Sequence, residues 1–216
     1  MFFFSLNQKF KNTIFFVLLT NILFNFFSCA SAQEIQRVNK FVFDTAPLNL
    51  EETTEIADRI FAGVCTKTEK IKNDIVSGLP VIKYTFKVTD GIKGAEDKSE
   101  ISFKQWEALS NDNSHYTEGE KYLLFLYPDS RKGLTSPVGF AQGQFEVKKD
   151  PYSKIESVKN RLGNLGLITN IVTKKRVFIS GDAELSNYLN KSSENGDFIR
   201  YADLIKAVKH LVKEKQ

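Results

Sequence analysis

Few side chains in this 216-residue sequence have the types and spacing that catalysis or metal binding requires. It carries two histidines and two cysteines. His115 ends the polar run Asn111-Asp112-Asn113-Ser114-His115, and His210 lies near the C-terminus, with no H-E-x-x-H pair to hold zinc. No G-x-S-x-G elbow and no phosphate-cradling glycine loop occurs. Cys65 and a distant histidine could act as nucleophile and base, but Cys65 falls in an apolar, strand-like run. Thiolates are activated at loops and helix starts, so Cys65 is expected to be a small buried hydrophobe. The acids are plentiful but scattered, and no carboxylate pair follows from their spacing. The expectation is a protein that is not an enzyme and needs no cofactor or metal.

Two segments are specified beyond what packing asks. Asp90-Gly91-Ile92-Lys93-Gly94 closes a strand-like run, and Gly139-Phe140-Ala141-Gln142-Gly143-Gln144-Phe145-Glu146-Val147 sets two glycines four apart among aromatics. Glycines so placed mark a turn or bulge where backbone approaches something closely. Lys93, Gly94, Phe140, Gln142 and Gly143 are therefore the candidate partner-binding residues. The competing reading is a kink at a strand entry that packs Phe140 and Phe145 into the core. Trp106, the single tryptophan, is the candidate stacking residue, with core burial as the alternative.

The N-terminus says where such a protein would work. Lys9 and Lys11 precede an apolar run from Thr13 to Phe27, and Ala30-Ser31-Ala32 follows. A basic start, a greasy middle and a small-x-small end are the parts of a secretory signal peptide. The run is broken by Thr20, Asn21 and Asn25 and is shorter than the ~20 apolar residues that span a bilayer. Residues 1–32 are thus expected to be removed and 33–216 to form one domain, exported to the periplasm or beyond. An alternative starts from Phe27-Ser28-Cys29, which loosely matches a lipoprotein cleavage site although Phe26 stands where leucine is usual. Membrane attachment is expected only if Cys29 is lipidated.

Cleavage before Gln33 leaves Cys65 as the sole thiol, so no intrachain disulfide forms and the fold must rely on its core. The leader takes two lysines and no acid from a chain of net charge +4, leaving about +2. That near-neutral balance argues against a nucleic-acid partner.

The elements follow from periodicity. Asn49 caps a short helix to Asp58, with Glu51, Glu52 and Glu55 suited to its positive end. Arg59–Thr66 reads as a strand. Ile82, Tyr84, Phe86 and Val88 alternate with Lys83, Thr85 and Lys87, which is a strand with one buried face, and Asp90-Gly91 turns the chain after it. Glu100–Gln105 alternates again. Tyr122–Tyr127 is continuously apolar and stopped by Pro128-Asp129, as in a strand buried on both faces. Gln144–Val147 completes a core of about five strands. Asn160–Asn170 is loop-like, Arg176–Ser180 reads as a last short strand, and Asp182–Leu189 as a helical turn. Tyr201, Leu204, Ile205, Val208, Leu211 and Val212 form the apolar stripe of a C-terminal helix whose other face carries Lys206, Lys209, His210 and Lys213. Its simplest role is a lid on the sheet.

Taken in order, ADRIFAGVCTKTE (57–69), IKYTFKVTDGIKG (82–94), YTEGEKYLLFLYP (116–128) and VGFAQGQFEV (138–147) are similar to a set of exported bacterial proteins with a TIMP-like (netrin-like) OB-type barrel. The resemblance covers Ala57–Val147, half of the mature chain. It implies a mainly β protein with accessory helices (α+β), a five-stranded OB-type barrel with the C-terminal amphipathic helix packed on it. True metalloproteinase inhibitors of that shape chelate zinc through an N-terminal cysteine and carry several disulfides. Here the mature N-terminus would be Gln33, so that inhibitory chemistry is not implied. The reading is a non-catalytic exported module that presents the barrel to a protein partner, with a secreted metalloprotease one candidate. The alternative is an envelope lipoprotein with a structural or assembly role, anchored through Cys29.

Overall fold

The computed structural model describes residues 46–107, 116–179 and 181–214. The leader with Cys29, the residues up to Thr45, the segment bearing His115 and residue Ser180 lie outside them.

After a seven-residue helix, α1 (Leu50–Ile56), the chain enters two thirteen-residue strands, β1 (Arg59–Ile71) and β2 (Val81–Lys93), paired antiparallel from Ile60↔Lys93 to Ile71↔Val81. The alternation of β2 does what the sequence asks: Ile82, Tyr84, Phe86 and Val88 are buried, and Lys87 and Thr89 are exposed. The expected turn at Asp90-Gly91 is absent, and β2 runs on to Lys93 with Gly91 opposite Phe61. Gly91 serves a close approach instead. A Cβ there would lie 2.4 Å from the carbonyl oxygen of Ala95, and Asp97 accepts the Gly91 N–H at 2.6 Å.

Five more strands follow: β3 (Glu100–Trp106), β4 (Lys121–Leu126), β5 (Gln144–Lys149), β6 (Glu156–Asn160) and the two-residue β7 (Ile199–Arg200). They form one antiparallel sheet in the order β3-β2-β1-β4-β5-β6-β7. The mainly β, α+β class holds, but the sheet is open and seven-stranded, not a closed five-stranded barrel. The reason is local. The free edge of β5, which a barrel would need for closure, is taken by β6 from Phe145↔Asn160 to Lys149↔Glu156. The expected strand at Arg176–Ser180 is also absent among the described residues, where Arg176 makes a single bridge to Thr169. The helical turn expected at Asp182–Leu189 is a full helix, α2 (Ala183–Asn195). Asp182 caps it at Leu185 N–H and Gly196 ends it with φ +68°. The last helix, α3 (Tyr201–Lys213), buries the expected stripe.

Two apolar cores use opposite faces of the sheet. Ile60, Leu123, Phe125, Phe145, Val158 and Ile199 pack against residues of all three helices, including Leu50, Leu189 and Leu204. The other face gathers Phe61, Cys65, Tyr84, Phe86, Phe103, Tyr122 and Leu124 around Tyr116. Because β4 feeds both cores, Tyr122–Leu126 is buried at every position, which is why that run carries no alternation.

Among the described residues no helix packs on the second core; the sheet curls over it. The ring of Tyr116 lies 4.7 Å from Tyr84, 5.2 Å from Phe86, 5.9 Å from Phe103 and 5.2 Å from Tyr122, centroid to centroid. In a flat sheet β3 and β4 would stand ~14 Å apart. One ring reaches both only because the strands coil around it. Burial pushes the Tyr116 hydroxyl far above its ordinary range. Tyr116→Ala is expected to cost about 3–5 kcal/mol, and Tyr116→Phe no more than about 1.5 kcal/mol because only the weak bond from Gln105 is lost. Urea unfolding followed by the emission of Trp106 measures both.

Candidate functional site

The two glycine-bracketed segments meet the same helix from opposite ends. Lys93 Nζ donates to the carbonyls of Thr54 (3.3 Å), Glu55 (3.4 Å) and Ala57, which places its charge on the negative end of α1. Gly94, at φ +59°, allows the carbonyl of Asp58 to within 2.8 Å of where a Cβ would stand. Gln142 is buried and holds the chain entering α1: its Oε1 accepts the Leu48 N–H at 2.6 Å, and its Nε2 donates to Ala46 at 3.1 Å. Gly143 passes so close to Val138 that a Cβ would meet its carbonyl at 2.5 Å. Lys93 and Gln142 thus hold α1 at its two ends, while Gly94 and Gly143 permit close backbone approaches at Asp58 and Val138. Phe140 differs. It has φ +50° and 43 % exposure, whereas Phe145 is buried, so only one of the two phenylalanines enters the core.

The groups with nucleophilic or ligand chemistry stay apart. The Cys65 thiol is buried, and desolvation raises its pKa above the ordinary value, the reverse of an activated thiolate. His210 faces Glu214 at 3.1 Å on the outer side of α3. Tyr201 donates to Asp90 while Lys121 Nζ sits 3.9 Å above its ring and 2.9 Å from Glu156. That group fastens α3 to β2, β4 and β6. Among the described residues no three His, Cys, Asp or Glu side chains gather for a metal ion.

A pocket does form at the far end of β3. Pro128 stops the chain just after β4, and a tight turn from Ser130 to Leu134 sends it back. The returning segment is stitched between two strands. Thr135 N–H donates to Lys104 of β3 at 2.9 Å, and Leu126 of β4 bridges Pro137. The open cleft so formed, about 510 Å³, is walled by Trp106, Tyr127, Arg131, Lys132, Leu134 and Ser136. Trp106 is half-buried here rather than in the core.

This juxtaposition is a product of the curl. Trp106 pairs with Val81, which pairs with Ile71 at one end of β1, while Leu126, beside Tyr127, pairs with Arg59 at the other. A flat β1 would separate those levels by ~40 Å. Tyr127, Arg131 and Lys132 were not legible as site residues from the sequence; Pro128-Asp129-Ser130 signals a loop, but nothing local shows it beside Trp106.

The rim is built by ion pairs. Lys132 Nζ lies 2.7 Å from Asp74 in the β1–β2 loop and 6.0 Å from the Trp106 ring centroid. Asp129 pairs with Arg59, and Glu107 with Lys70. The loop so tethered carries Ile75 and Val76, 100 % and 83 % exposed, and Leu79. Tyr127 Oη accepts the Gly139 N–H at 3.3 Å, so the turn bearing Phe140 adjoins the pocket wall. Compared with known proteins, the chain matches no protein-family model and no curated protein.

Two outcomes are expected. Lys93→Met removes the cation from the carbonyl end of α1 and is expected to lower stability by about 1–2 kcal/mol in urea unfolding. The bonds from Lys132 and Ser77 hold the Asp74 carboxyl well below its ordinary 3.8. Its pairing is therefore fully present above that pH and lost as pH falls through the depressed value. Acid titration is expected to shift Trp106 emission only below pH 3.8, and Asp74→Asn to remove that step.

Proposed function

We propose that this protein is an exported, non-catalytic binding module that holds a protein partner at the Trp106 end of its sheet. One observation carries the reading: an aromatic pocket bordered by a tethered loop whose Ile75 and Val76 side chains face solvent. Fully exposed aliphatic side chains beside a half-open aromatic pocket have the composition of an interface centre, where a few large anchors dominate binding. Phe140 extends the same surface, while Lys93 and Gln142 hold α1 in place.

The similarity of Ala57–Val147 to exported TIMP-like proteins favours recognition of a protein, and a secreted protease is the candidate partner. The zinc-chelating N-terminal cysteine of the inhibitors has no counterpart at Gln33. Binding would rest on surface complementarity.

A photo-crosslinking residue placed at Val76 tests this in the exported fraction. The expected result is a discrete adduct that unlabelled wild-type protein competes away and Trp106→Ala protein does not. The same residue placed at Lys209 on α3 should give none. No adduct from Val76, or equal adducts from both positions, would sink the reading. Intact mass of the native protein tests export itself: a start at Gln33 supports a soluble module, and a diacylated Cys29 would make it an anchored lipoprotein instead.

A further inference from the structure

We infer that the partner segment seated in the Trp106 pocket is an acidic peptide that offers an aromatic or aliphatic side chain to the rings. This rests on the binding role proposed above and adds the chemistry of what is bound. The pocket interior is apolar, with Trp106, Tyr127 and Leu134 as its largest walls. The charges around it do not balance. Asp74, Asp129 and Glu107 each already answer a cation of this chain: Lys132, Arg59 and Lys70. Arg131, on the wall, and Lys104, whose carbonyl anchors Thr135 of the same wall, are both exposed. Neither is paired with a carboxylate among the described residues.

Among the described residues the surplus at this rim is therefore positive, although the mature chain is close to neutral. A guanidinium presents a planar fork that takes a carboxylate in two parallel hydrogen bonds. A carboxylate on Arg131 would bring the neighbouring side chain of the same peptide over the Trp106 ring. Lys132 contributes differently, since Asp74 holds it beside the indole and neutralises it. Phosphate backbones with stacked bases also suit aromatic and cationic groups, but they need a basic groove rather than two unpaired cations.

Trp106 is the only tryptophan, so its emission reports pocket occupancy without a label. The mature chain would be titrated with acetyl-Asp-Glu-Phe-Glu-Asp-amide and with its charge-reversed form, acetyl-Lys-Arg-Phe-Arg-Lys-amide. A saturable change is expected with the acidic peptide alone, and its affinity should fall several-fold between about 50 and about 300 mM salt. Arg131→Glu should weaken binding by about tenfold or more and Lys104→Glu by a smaller factor, as loss and reversal of a rim charge predict. Both side chains are exposed, and an unchanged urea midpoint would show that the variants fold. Equal binding of the basic peptide, of a short oligothymidylate or of an anionic oligosaccharide would overturn the inference, as would undiminished binding by Arg131→Glu. If the acidic peptide leaves Trp106 unmoved while the Val76 adduct persists, the acidic chemistry falls and the binding role stands. If both are absent, both fall.

Discussion

Strand β1 hydrogen-bonds along both of its edges, and the shape of the molecule follows from how it does so. It pairs with β2 over its whole length but with β4 only from Arg59 to Val64. Beyond that point the residues ahead of β4 take over, with Cys65 N–H donating to Glu120, Gly119 N–H to Cys65, and Thr68 N–H to the Glu118 side chain. Three shifts of register against β2 fall between Ile60 and Lys67. Each adds twist to a strand already bound on both sides, so the sheet must coil. That coil lets Tyr116 touch β2, β3 and β4 at once. The inner aromatic core and the Trp106 pocket are two results of one bend.

The region beyond β5 obeys a different constraint. From Arg161 to Ile179 the chain has only the isolated Thr169–Arg176 bridge in place of a ladder, and asparagine side chains satisfy much of its backbone instead. Asn164 accepts the Asn160 N–H and donates to Val158 and Asp197, while Asn160 accepts from Leu162 and Asn164. Asn170 bonds Pro47 and the Glu52 carboxylate, which itself closes the capping box with Asn49. Buried polar groups need partners, and these asparagines give the irregular segment a fixed shape and tie it to α1. Helix α1 is thereby held from four directions, by Lys93, Gln142, Asn170 and its own cap.

Much of this was legible in the residue pattern. The alternation in β2, the unbroken apolar run of β4 and the stripe of α3 each translate one local period into one buried face. What escaped is what local pattern does not encode. Strand β6 buries Val158 and Asn160, and β7 is two residues long, so neither shows a period. Gly91 looks the same in a sequence whether it serves a turn or a bulge. The glycine-bracketed segments were recognisable as specified, but their target, α1, is set by tertiary contacts 36 to 96 residues away. Trp106 stood out by rarity, and its companions did not, because they come together only through the coil.

The same coil decides which surfaces of the described residues stay uncovered. One face of the sheet is consumed by helices and the other by its own aromatic core. What remains is the outer side of α3, the sheet edges and the loop ends. On α3, Lys206 and His210 are answered by Asp182 and Glu214, and on β7 Arg200 is answered by Asp203. At the Trp106 end, apolar side chains coincide with two cations, Arg131 and Lys104, that pair with no carboxylate among the described residues. That end is also held by ion pairs between separate loops, so its shape is largely set, which would lower the ordering cost of the proposed binding. No disulfide joins the described residues, and the surface keeps its order because the pocket wall is stitched into β3 and β4, the strands that enclose the inner core.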